Sequence, residues 1–182
     1  MSLKFNNTTV PTSGAVKYNN TSLQSVRHNN VEVWKKQAQI YPGIGVANSQ
    51  NTSSYQPYWK WSNDGSTLHV ESFGGTDTGS GWIAVGPFSS IGYSKAFFSN
   101  CTITKTTNTG GWVKVGIGDV NCGFHYVFFE GTGHGLGTTT YYSDSRWSIG
   151  QNGYYFLLIM TSASADYSGH TVKVDITGFY LE

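Results

Sequence analysis

Tyr154-Tyr155-Phe156-Leu157-Leu158-Ile159-Met160-Thr161 is the most apolar block of the chain, and Gly153 opens it. It is too short for a membrane span, which takes about 20 residues. A short apolar run after a glycine reads as a strand covered on both faces. Val172-Lys173-Val174-Asp175-Ile176-Thr177 follows and alternates apolar with polar, the period of a strand with one buried face. Gly178-Phe179-Tyr180-Leu181 extends it past a bulge at the glycine. Two adjacent strands, one central and one half-buried, predict a layered β structure.

The rest of the sandwich reads outward from that pair. Thr67–Phe73, Trp82–Phe88, Ala96–Phe98 with Cys101–Lys105, Trp112–Gly118, Phe124–Glu130, Thr138–Tyr142 and Arg146–Ile149 are strand-like, with glycine or Asn/Asp/Ser turns between them. Short strands at such spacing predict an all-β, jelly-roll-like β-sandwich. The closing strand then seals the sandwich by pairing beside the first long one. Residues 46–57 read as a polar loop. Gly74–Gly81 reads as a flexible surface loop: it lacks the Gly-Lys-Ser/Thr ending of a phosphate cradle. Tyr41-Pro42-Gly43-Ile44-Gly45 is a linker signal, so the boundary falls near residues 37–45. This divides the chain into a small N-terminal β-meander over 1–40 and a sandwich over 41–182.

Composition narrows the function. Charged residues make up 12% of the chain and aromatics 15%, with a formal net charge of +1. Nucleic-acid binding needs clustered Lys and Arg, and here the basic residues are scattered. Residues 1–15 have no apolar core, so no signal peptide is expected. Without such a signal, Cys101 and Cys122 are expected to be free rather than bridged. The histidines show no metal-ligand spacing, and no cofactor or metal site is expected.

The first 36 residues repeat one phrase. Lys4-Phe5-Asn6-Asn7-Thr8, Lys17-Tyr18-Asn19-Asn20-Thr21 and Arg27-His28-Asn29-Asn30-Val31 each place a cation and a ring before Asn-Asn. Asn tolerates positive φ, so each Asn-Asn predicts the centre of a tight hairpin turn. With Val16 and Val31-Glu32-Val33-Trp34-Lys35-Lys36, this segment resembles those of tail- and baseplate-associated proteins of phages and prophages. Where such proteins commonly use Asn-Gly, this chain uses Asn-Asn. The resemblance covers about a fifth of the chain. It implies a virion protein whose residues 1–36 contact other tail proteins while the sandwich points outward, and it suggests a homotrimer. Localisation to a phage particle, or to a bacterium carrying the prophage, follows from the same likeness. No membrane insertion is expected. Residues 45–182 resemble carbohydrate-binding sandwiches only in general terms.

No catalytic motif stands out. The ten acids are dispersed, with none in a recognisable pair for glycoside cleavage, and there is no Gly-x-Ser-x-Gly elbow. The chain therefore reads as non-enzymatic, with a glycan-degrading enzyme as one alternative and a purely structural tail or capsid-decoration subunit as another. Six Trp, twelve Tyr and ten Phe are the better lead. A core of this size buries about half of them. Tyr58, Trp59, Trp61, Trp82, Tyr141, Tyr142 and Trp147 fall in loops or at strand ends among Asn, Asp, Gln and Ser. Rings there can stack on the C–H face of a pyranose while amides bind its hydroxyls, which suits a host surface polysaccharide. Each ring can equally close an end of the core.

Overall fold

Val172, Val174 and Ile176 are all buried and alternate with half-buried Lys173 and Asp175, as the two-residue period requires. The computed structural model describes residues 4–5, 8–9, 17–18, 21–23, 25–28, 31–35, 37–53, 58–75, 78–106, 111–131, 138–143, 145–151, 153–164 and 171–182. Two antiparallel sheets face one another. The seven-stranded sheet runs β15 (Thr138–Tyr142), β12 (Lys95–Lys105), β18 (Thr171–Leu181), β10 (Leu68–Phe73), β9 (Trp59–Asn63). Beside this path, β16 (Trp147–Ser148) pairs with β12 and β7 (Ala38–Tyr41) with β18. The five-stranded sheet runs β14 (Phe124–Gly131), β13 (Trp112–Gly118), β17 (Tyr154–Ala163), β11 (Gly79–Ser89), β8 (Val46–Asn51).

Both deciding strands take the places their sequences predict. β17 is the middle of its sheet; Leu157 and Ile159 face the main core and Leu158 is buried on the outward face, but Tyr154, Phe156 and Met160 leave that outward face only partly covered, short of the full cover its sequence predicts. β18 pairs with β10, the first long strand, and the register slips where Gly178 faces Asn100. The core between the sheets is built from Leu68, Val70, Phe98, Ile103, Val174, Ile176 and Phe179 on one side and Ile83, Val85, Val115, Ile117, Leu157 and Ile159 on the other. A polar contact joins the sheets inside it. The Trp59 indole N–H donates to Thr161 Oγ1 at 3.2 Å, and Thr161 shares a 2.7 Å hydrogen bond with Ser72 Oγ. Burying such groups is tolerable because each has a partner.

Before the sandwich come three separate two-stranded ladders: β1 (Lys4–Phe5) with β2 (Thr8–Thr9), β3 (Lys17–Tyr18) with β4 (Thr21–Ser22), and β5 (Ser25–His28) with β6 (Val31–Lys35). Phe5 faces Thr8, Tyr18 faces Thr21 and His28 faces Val31. All three repeats thus share one register, in which the residues bracketing Asn-Asn face each other. The Asn-Asn pairs themselves lie outside the described residues.

Two local expectations are corrected. Val46–Asn51 is not loop but β8, an edge strand on β11. An edge strand with much of its surface in water needs few apolar residues, so its Asn, Ser and Gln hid it. The glycines at 79 and 81 are buried positions of β11 rather than surface loop. A side chain on Gly81 would run into the Trp59 ring, and one on Gly79 into the backbone carbonyls of Tyr58 and Phe73. Cys101 and Cys122 are unbridged; Cys101 is buried on β12 and Cys122 half-buried in the turn between β13 and β14.

Candidate functional site

The outward face of the five-stranded sheet is unusually apolar for a solvent-facing surface. Cross-strand register sets its rows. In one row Lys114 on β13 lies opposite Met160 on β17, which lies opposite Trp82 on β11, which lies opposite Gln50 on β8. The next row is Gly116, Leu158, Ala84, Asn48. A third begins with Gly118 opposite Phe156. Trp82, Ala84 and Leu158 form a small buried cluster against which Cys122, Phe124, Phe156 and Met160 pack. This is a second apolar assembly, on the far side of the sheet from the main core.

Polar groups border it. The Trp82 indole N–H donates to Gln50 Oε1 at 3.2 Å, which fixes that ring against β8. Lys114 Nζ lies 4.8 Å from the centroid of the Phe124 ring and 3.2 Å from Glu130 Oε2, so its charge is locally balanced. Asn48, Gln50 and Asn121 supply uncharged amides. Tyr154, at the start of β17 and in step with Phe156 along the strand, is 73% exposed. The face therefore offers apolar and aromatic groups rimmed by amides.

The turn Asp119–Gly123 crosses part of this face. Asn48 Nδ2 donates to the Val120 carbonyl at 3.1 Å, so the turn after β13 reaches β8, on the far side of β17 and β11. Asp119 Oδ1 accepts from the backbone N–H of Asn121 at 2.8 Å and of Gly123 at 3.0 Å. The Gly123 and Asn121 amides hold the Asp119 carboxyl below its ordinary range, with a smaller contribution from His125. Cys122 has φ +69°, uncommon for a residue with a side chain. Burial, aided by the Asp119 charge, pushes its thiol up to about 11. Gly118 is required here, because a side chain would meet the Gly123 carbonyl and Leu158.

The rings singled out in the sequence do not gather into one platform. Trp59 is 6% exposed and belongs to the core, held there by Gly81 and Thr161. Trp82 lies on the outward face but only 8% exposed, because Cys122 and its neighbours pack over the cluster. Tyr142 stacks on Phe129 at 4.3 Å and Trp147 on Phe128 at 5.0 Å, both half-buried, so these two close an end of the core. Tyr58 is half-buried against Gly75. Trp61, 37% exposed on edge strand β9, is open to solvent. The backbone of Tyr141 pairs with Thr102, and its side chain lies outside the described set. Phe124, Tyr154, Phe156 and Met160 were missed. The apolar block around Phe156 read as wholly covered, though the glycines at 116 and 118 marked a face where something lies close to the backbone.

No family model matches this sequence, and no curated protein matches it. Among solved structures it is similar to a family 29 carbohydrate-binding module, at 10% identity and TM-score 0.37 over 80% of this chain and 86% of that one. It is similar also to the family 11 carbohydrate-binding module of Clostridium thermocellum, at 12% identity and TM-score 0.35 over 80% and 94%. The glycoside hydrolase domain of Endo-D from Streptococcus pneumoniae R6 matches at 9% identity and TM-score 0.41, over 74% of this chain but 21% of that one. Likeness at this level says nothing about ligand.

Proposed function

We propose that this chain is a non-enzymatic glycan-binding protein whose ligand lies on the outward face of the five-stranded sheet. One observation carries the reading: a solvent-facing sheet surface holds Tyr154, Phe156, Phe124 and Met160 beside the amides of Asn48, Gln50 and Asn121. Apolar rings accept the C–H face of a sugar, and amides exchange hydrogen bonds with its hydroxyls. The carboxylates of Glu71, Glu130 and Glu182 are committed to Lys60, Lys114 and Arg146, which favours binding over acid–base cleavage. At finer grain, the proposed setting is a phage or prophage tail appendage in which the sandwich contacts a host surface glycan. The common register of the three N-terminal ladders supports residues 1–36 as a repeated attachment module for other virion proteins.

The test is binding of the full chain to a glycan array and to bacterial cell-wall preparations. Tyr154→Ala and Phe156→Ala probe the proposed face; Trp61→Ala probes the exposed edge ring. Saturable binding that Tyr154→Ala or Phe156→Ala weakens at least tenfold, in variants with native circular dichroism, supports the assignment. Loss on Trp61→Ala alone moves the site to the β9 edge and overturns it. A purely structural subunit is the second reading, favoured by two exposed apolar side chains, Tyr154, which pairs with Ser89 at the end of β11, and Ile91, two residues past that end. It predicts a stable oligomer that binds no glycan.

A further inference from the structure

The turn between β13 and β14 does something that a simple hairpin connection does not need to do. It leaves β13 at Gly118, passes over the outward face and is fastened to Asn48 on the opposite edge strand. Beneath and beside it lie Trp82, Ala84 and Leu158, with Trp82 8% exposed. The fastening is slight. Among the described residues, one side-chain hydrogen bond, Asn48 to the Val120 carbonyl, joins the turn to β8. The turn's other hydrogen bonds are internal, within Asp119–Gly123: Asp119 N–H to Gly123 O, Cys122 N–H to Asp119 O, and the two amides on the Asp119 carboxylate. Because they are internal, they can move with the turn as a unit. Cys122 at positive φ adds a local strain that is held only by the surrounding contacts.

We propose that Asp119–Gly123 is a hinged strap, and that lifting it from Asn48 uncovers a second apolar subsite, Trp82 with Leu158 and Ala84, continuous with the open Phe156–Tyr154 part of the face. The ligand suited to the uncovered row is the apolar face of a sugar unit adjoining the one on Phe156 and Tyr154. That ligand assignment rests on the proposed glycan function, whereas the strap itself does not. A self-contained turn with a weak tether belongs to the low-stability end of the structure, where openings occur without global unfolding.

The full chain supplies its own reporter. Cys122 is half-buried against the cluster, so its thiol is only partly shielded while the strap is down; Cys101 is fully buried in the core and reports global unfolding. The measurement is the rate of reaction with Ellman's reagent, with no sugar present. In the wild-type protein one thiol, removed by Cys122→Ala, reacts faster than the second by at least tenfold. Asn48→Ala raises that rate at least fivefold further while leaving the Cys101 rate unchanged. If both thiols react at one rate, or Asn48→Ala leaves the Cys122 rate unaltered, the strap does not open and the proposal is overturned.

Failure of glycan binding with these thiol results intact would remove the ligand assignment and leave the strap.

Discussion

Trp59 and Trp61 sit two positions apart on one short strand and have opposite fates. Trp59 is wedged over Gly81 and bonded to Thr161, while Trp61 stands at the edge with much of its ring in water. Trp59→Ala should cost about 3–5 kcal/mol, the range for deleting a buried large ring. Trp61→Ala should stay within about 0.5 kcal/mol. Urea unfolding of the two variants separates them. The sequence could not rank these rings, because Trp-Lys-Trp shows alternation but not which layer covers it. The deciding partners, Gly81 and Thr161, are distant in the chain. Asp64 gives a residue-scale pH effect. Backbone N–H groups of Thr67 and Ser66 hold its carboxyl well below the ordinary 3.8, with the Ser66 hydroxyl adding to them. A lowered folded-state value means stability present above the ordinary value and lost as the pH falls through the folded one. The stability gap between wild type and Asp64→Ala should therefore be level at neutral pH and shrink on acidification below 3.8, as read from unfolding at a series of pH values.

Among the elements, β18 and β17 were legible because their patterns are unambiguous: alternation at Val172–Ile176, and an unbroken apolar run at Tyr154–Met160. β8 was not legible, since Asn48, Ser49 and Gln50 carry no apolar period and pairing with β11 alone makes them a strand. β7 shows where the sandwich begins. Tyr41 is buried, faces Phe179 across the ladder, and donates its hydroxyl to Asn63 at 2.9 Å. Removing residues 1–36 should leave the melting temperature of the sandwich within about 3 °C, because that truncation keeps β7 and the pairing of Tyr41 with Phe179 and Asn63. Removing residues 1–44 should lower it by at least about 10 °C, since a buried ring and a ladder are lost together. Differential scanning calorimetry of the two truncations checks both. Gly81→Ala should be more damaging than either, because the Trp59 ring occupies the space the methyl group needs.

At the scale of the whole molecule, long-range pairing dominates. β7 joins β18, β10 joins β18, and β12 joins β18, so chain segments far apart must meet before either sheet exists. Refolding should accordingly be slow, on the order of milliseconds to seconds or longer in stopped-flow fluorescence, as for other sandwiches rich in non-local contacts. The near-neutral charge has a separate consequence. With a formal net charge of +1 and a face of amides and rings, the proposed glycan binding should change in affinity less than about twofold between 50 and 500 mM salt. A steep salt dependence would point to an anionic ligand held by lysines instead.

The position of β18 reaches beyond equilibrium stability. During synthesis the segment that fills the middle of the seven-stranded sheet leaves the ribosome after the other described strands of the sandwich. Until Leu181 clears the exit tunnel, β10 and β12 are neighbours with no strand between them, their unpaired edges open to any passing polypeptide. A nascent chain stalled or cut short anywhere before residue 171 is therefore a client for chaperones and proteases rather than a smaller working protein.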